Sequence, residues 1–176
     1  MTSIVPETGT PWIIAHRGAR DEAPENTCSA FERALTYPID GIELDVQMSR
    51  DGLVVVYHDW TIRRLARRGR YVFALDREEL AALDWGAWFH PDFAGEPMPT
   101  LGGILSRLGP RTRWLIEIKS HPADTAWPWW RNIATPCRRS RSISFRLTLK
   151  SCCRQRAWHP GGGMSSILPA RCPIPV

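Results

Sequence analysis

The sequence predicts an α/β fold with parallel strands, on three observations. Trp12-Ile13-Ile14-Ala15 is an apolar run that ends in His16-Arg17-Gly18, and a helical pattern and a second apolar strand, Ile42 to Gln47, follow it. Strand, helix, strand is a βαβ unit, whose two strands lie parallel and adjacent. A third strand, Thr112 to Lys119 (TRWLIEIK), repeats the pattern of the second. In both, apolar and charged side chains alternate, so each strand carries one dry face and one charged face.

Each element has a local cause. Pro24-Glu25-Asn26-Thr27 is a turn with capping residues, and Phe31, Ala34 and Leu35 sit at helical spacing within Ser29 to Leu35. In the second strand Ile42, Leu44 and Val46 share one face, and Glu43 and Asp45 the other. Asp51-Gly52 signals a tight turn. The link from Gln47 to Leu53 is too short for a parallel crossover, so Leu53 to Tyr57 reads as a hairpin arm. Arg63 to Arg70 is basic and poorly patterned, and reads as a solvated loop rather than a nucleic-acid patch. Asp76 to Leu83 reads as a short helix with Asp76 at its cap and Glu79 three residues on. Trp85, Trp88, Phe89 and Phe93 read as packing in a loop of Pro and Gly, although aromatic faces also suit a choline-like cation. Thr100 caps a further helix through Leu108. In the third strand Glu117 and Lys119 share the charged face, with Ile116 and Ile118 on the other.

The charged faces carry the chemistry. Glu43 and Asp45 resist desolvation side by side unless a cation sits between them. His16 and Asp45 emerge at the C-terminal edge of the sheet, where α/β folds place their ligands. The chain returns a second imidazole at His58-Asp59. Carboxylates for a hard metal and histidines for proton transfer make a hydrolytic site. Oxygen-only ligands favour Mg²⁺ or Ca²⁺ over zinc.

In order and spacing, His16-Arg17-Gly18, Pro24-Glu25-Asn26-Thr27, Glu43-Leu44-Asp45-Val46, Asp51-Gly52, His58-Asp59, Pro99-Thr100-Leu101 and Glu117-Ile118-Lys119 resemble the glycerophosphodiester phosphodiesterases, from about Trp12 to Ser120. The resemblance implies a TIM-type (β/α) barrel of the phospholipase C-like phosphodiesterase kind, present as its N-terminal half (residues 12–120), with a small insertion at about 61–99. It implies Mg²⁺ or Ca²⁺ on Glu43, Asp45 and Glu117, with His16 and His58 as general acid and base. Arg17 and Lys119 would contact the phosphate, although Lys119 could instead only pair with Glu117. The implied reaction is hydrolysis of a small-molecule glycerophosphodiester to glycerol 3-phosphate and an alcohol. A lysophospholipase D-like activity and a catalytically dead truncated remnant stand as alternatives.

Composition bounds the rest. The hydrophobic fraction of 43% and the charged fraction of 23% are those of an ordinary globular chain. No stretch approaches the about 20 apolar residues of a membrane span, and Met1 to Pro11 lacks a secretory pattern, so cytoplasmic residence is expected. All 18 acidic residues lie at or before Asp124, whereas nine of the 23 Lys and Arg and four of the five cysteines lie after it. A basic tail rich in Cys, Trp and Pro (121–176), with no sustained period, is what a GC-rich gene yields in a shifted frame. The expectation is a truncated or frameshifted product that lost its native frame between Lys119 and Trp130, with a tail that is disordered or out of frame. Adjacent Cys152-Cys153 fits no zinc pattern.

Overall fold

The structure is a computed structural model that describes residues 11–119 and the backbone of 143–148. In chain order the elements are β1 (Ile14–His16), α1 (Cys28–Ala34), β2 (Gly41–Met48), β3 (Val54–Val56), α2 (Arg63–Ala66), α3 (Arg77–Ala81), α4 (Leu101–Leu108), β4 (Arg113–Lys119) and β5 (Ile143–Thr148). Three single-turn 3₁₀ segments fall between them, at Val72–Ala74, Pro91–Phe93 and Gly109–Arg111.

The sheet follows the expected logic. Strands β1, β2, β4 and β5 run parallel in that spatial order, and β3 turns back antiparallel along the end of β2. Alternation fixes the faces: Ile42, Leu44, Val46 and Ile116 are fully buried on the side covered by α1 and α4. Phe31 of α1 meets Trp114 of β4 edge to face at 5.4 Å, the geometry that aromatic quadrupoles prefer. Burying each of these large apolar side chains contributes roughly 1.5–3 kcal/mol. Successive parallel strands with helices on one face and charges converging at the strand ends build part of a TIM-type barrel.

Caps place the helices. Thr27, in extended backbone, accepts from Ala30 N at the start of α1, and Thr100 accepts from Gly103 N at the start of α4. Asp76 and Glu79 form the full capping box of α3. Two expectations differ from the structure. Arg63 to Arg70 is not all loop: its first four residues form the one-turn helix α2, ended by Arg67 in left-handed backbone. The strand β5 lies inside the stretch that read as patternless. The expected loss of frame between Lys119 and Trp130, and the disordered or out-of-frame tail apart from 143–148, lie outside the described residues.

Residues 61–99 enclose a second, smaller core, in which Val55, Tyr57, Ile62, Val72, Leu75, Leu80 and Trp85 are buried. Glu96 fastens this segment to the sheet side by accepting from Ser29 N at 3.2 Å and Ser29 Oγ at 2.6 Å. Trp85 packs edge to face on Tyr57, and Trp88 lies beneath the Arg64 guanidinium, 4.6 Å from its ring centre. Both aromatics therefore pack within the fold. No helix among the described residues is long and apolar enough to cross a membrane.

Candidate active site

The site is built from strand ends. Register pairs His16 with Glu43 and Asp45 with Glu117, so β1, β2 and β4 deliver their charged side chains to one mouth. Ligand-capable oxygens of Glu43, Asp45 and Glu117 all lie within 4.8 Å of one another. Three carboxylates so close need compensation, and two cations supply part of it. Lys119, only 3% exposed, places Nζ 2.8 Å from Asp45 Oδ1 and also contacts Glu117. Arg17 Nε stands 3.1 Å from Asp45 Oδ2, and Arg17 Nη1 donates to Glu25 at 3.2 Å. Neither contact on Asp45 from these two cations is aligned as a hydrogen bond; both act as charge.

Glu43 is left short. Its Oε1 is buried without a hydrogen-bond partner, and Oε2 receives only Arg17 N, at 3.2 Å. Burial first, then the Asp45 and Glu117 charges, push its carboxyl up to about 7. An orphaned oxygen, an acid that resists ionising and two neighbouring carboxylates are a donor set that fits a hard divalent cation. Lys119 stands on the Asp45–Glu117 side of the cluster.

The loop after β1 is shaped for this contact. Arg17 holds left-handed backbone (φ 62°), at a cost of about 1 kcal/mol. The twist aims its N–H at both the main-chain oxygen and the carboxylate of Glu43. Gly18 follows at φ 83°, where a Cβ would stand 2.8 Å from the backbone of Ala30, so glycine is required.

The two histidines are oriented differently. Arg20 Nη1 lies 3.1 Å from His16 Nδ1; a guanidinium only donates, so Nδ1 accepts and a neutral ring carries its proton on Nε2. That nitrogen lies 3.8 Å from Glu43 Oε2. Burial, then Arg17 and Arg20, hold His16 below its usual value, so the ring is neutral at pH 7. His58 instead sets Nδ1 2.9 Å from Asp59 Oδ1, which leaves its Nε2 free to accept a proton.

Three supporting residues escaped the sequence reading. Asn26, itself in left-handed backbone, donates Nδ2 to Asp45 Oδ2 at 3.0 Å and accepts from Asp45 N at 3.3 Å. Gln47 Nε2 donates to the carbonyls of Tyr57 and Asp59, at 2.9 and 2.7 Å, and so fixes the backbone either side of His58. Gln47 continues the alternation of Glu43 and Asp45, and that signal could have marked it. Arg64 donates to Glu25 and also pairs with Asp59, each at 2.7 Å; nothing in the run of arginines singled it out.

Known proteins resemble the chain in sequence and in fold. The chain is 45% identical over 109 residues to the glycerophosphodiester phosphodiesterase of Caldanaerobacter subterraneus, covering 61% of this chain and 45% of that one. It is 36% identical over 115 residues to a Bacillus subtilis protein of the same name, covering 61% and 39%. The chain thus spans less than half the length of these relatives. Among solved structures, the glycerophosphodiester phosphodiesterase of Agrobacterium tumefaciens superposes with a TM-score of 0.65 at 33% identity, over 78% of this chain and 58% of that one. A phosphodiesterase of Oleispira antarctica, solved with the product sn-glycerol-3-phosphate, shares the fold with a TM-score of 0.69 at 23% identity, over 82% and 60%. The model of the Glycerophosphoryl diester phosphodiesterase family matches residues 16–143, a span that takes in every strand end of the mouth, and the chain belongs to that family.

Proposed function

We propose that this mouth serves metal-dependent hydrolysis of glycerophosphodiesters to glycerol 3-phosphate and an alcohol. The observation that carries the reading is the Glu43–Asp45–Glu117 cluster, with its orphaned Glu43 oxygen, beside His16 and Arg17. Glu43, Asp45 and Glu117 would hold Mg²⁺ or Ca²⁺, which supplies positive charge to the non-bridging phosphate oxygens. Arg17, at the rim of the cluster, adds a guanidinium that matches the geometry of a phosphate. With the carboxylates balanced by a cation, Lys119 would turn its ammonium to the same phosphate.

Proton movement follows from the ring orientations. His58, its Nδ1 turned to Asp59, would take a proton at Nε2 from the substrate's own glycerol hydroxyl as that oxygen attacks phosphorus. Water would then open the resulting cyclic phosphate to glycerol 3-phosphate. His16 presents Nε2–H to the departing oxygen, as a neutral imidazole can. This reading needs both imidazoles to reach one phosphate, as general acid–base catalysis requires.

The test uses the purified chain with glycerophosphocholine and either Mg²⁺ or Ca²⁺. Glycerol 3-phosphate should appear, stop with a chelator, and be absent in His16→Ala. A second reading, a fold without turnover, is favoured by Lys119 lying across Asp45 and Glu117. Cation binding without product release under any condition would support that reading over the first.

A further inference from the structure

We propose that Arg64 is a positioning residue, which by bridging Asp59 and Glu25 holds the His58 ring and the Arg17 guanidinium in working orientation at the same time. The inference deepens the proposed function and rests on it for the roles of His58 and Arg17. Four observations lead to it. Arg64 opens its fork to two carboxylates from different loops, Nη1 to Glu25 Oε1 and Nη2 to Asp59 Oδ2, both at 2.7 Å. Beyond each carboxylate stands a residue of the site. Glu25 Oε1 also accepts from Arg17 Nη1 at 3.2 Å, and Asp59 Oδ1 lies 2.9 Å from His58 Nδ1. The guanidinium is seated on the Trp88 face, 4.6 Å from the ring centre, which limits its rotation.

The result is an alternating chain of charge, from His58 through Asp59, Arg64, Glu25 and Arg17 to Asp45. It joins the loop after β3 to the loop after β1, and the joint comes from α2, in the 61–99 segment. Gln47 holds only the backbone around His58; the Asp59 side chain that orients the ring depends on Arg64. Neighbouring Arg63, Arg67 and Arg68 are exposed, so the role belongs to one arginine of the run. A lysine offers a point charge and cannot span two carboxylates with fixed geometry.

The test compares the full chain with Arg64→Met, which keeps an apolar stem on Trp88, and with Arg64→Lys. The first readout needs no turnover: the ring-nitrogen resonances of His58 in ¹⁵N-labelled protein at pH 8. The parent should show a single tautomer with the proton on Nδ1. Arg64→Met should show both tautomers, and Arg64→Lys an intermediate pattern. The second readout is kinetic, with glycerophosphocholine and Mg²⁺. Arg64→Met should lose about 10- to 100-fold in kcat/KM, divided between a lower kcat through His58 and a higher KM through Arg17. An unchanged tautomer in Arg64→Met overturns the proposal, as does a single tautomer with a loss confined to thermal stability. Should the parent chain show no turnover, the proposed function fails and the ring spectrum alone decides the role of Arg64. Should Arg64→Met not fold, Arg64→Lys decides it by the same spectrum.

Discussion

The mouth of the parallel sheet and the 61–99 segment both gather charge, but they settle it in opposite ways. In the mouth the ions are buried: Asp45 is 1% exposed and Lys119 3%, with Glu43 only partly compensated. On the segment's surface the ion pairs face water, as Asp76 and Glu79 with Arg50 from the turn after β2, or Glu79 with Arg70, the arginine side chains being 58% and 48% exposed. Water makes the second set nearly indifferent to stability, whereas burial makes every member of the first set expensive to leave alone. The lesson is that the segment's pairs decorate a fold that its apolar core already holds, while the mouth keeps an electrostatic deficit of the kind a cation would remove. Arg64 stands between the two regions and shares features of both.

The largest expected effect tests the buried side. Lys119→Ala removes the ammonium that bridges Asp45 and Glu117, and should destabilise the cation-free chain at pH 8 by about 3–5 kcal/mol in denaturant unfolding. Saturating Ca²⁺ or Mg²⁺ should recover most of that loss. No recovery would mean that Lys119 is a structural counter-ion alone.

Glu43→Gln comes next and has the opposite sign. Burial raises the folded carboxyl from 4.5 to about 7. A raised folded value means that the stability present below pH 4.5 is lost as pH rises through 7. The substitution should therefore leave stability unchanged at pH 4 and raise it at pH 8, by up to about 3 kcal/mol, without added cation. A variant less stable than the parent at pH 8 would show that Glu43 is satisfied after all. The smallest effect belongs to the segment: Arg50→Ala should move the unfolding midpoint by no more than about 3 °C. A larger shift would erase the contrast between the two regions.

What the sequence disclosed follows the same division. Alternation in Ile42–Gln47 and Arg113–Lys119 is a local rule, and it gave the dry and charged faces and the meeting of Glu43, Asp45 and Glu117. Caps at Thr27, Asp76 and Thr100 act within three residues and were equally legible. The helix α2 was not, because a single turn with no side-chain cap leaves no period to detect. In β5, Ile143, Phe145 and Leu147 do alternate, but over six residues in a stretch whose composition obscures them. The bridges of Arg64 to Glu25, 39 residues away, and of Asn26 to Asp45, 19 away, exist only once the chain has folded. No local pattern encodes them.

The central claim is that Glu43, Asp45 and Glu117 form one binding site for a hard divalent cation. Calorimetric titration of the full chain with Mg²⁺ and with Ca²⁺, at pH 8 and pH 5.5, tests it most directly. One ion should bind per chain at pH 8, binding should weaken sharply at pH 5.5 as Glu43 takes up a proton, and Glu43→Gln should lose it at both. Equal binding by the variant, or none by the parent at pH 8, would contradict the account.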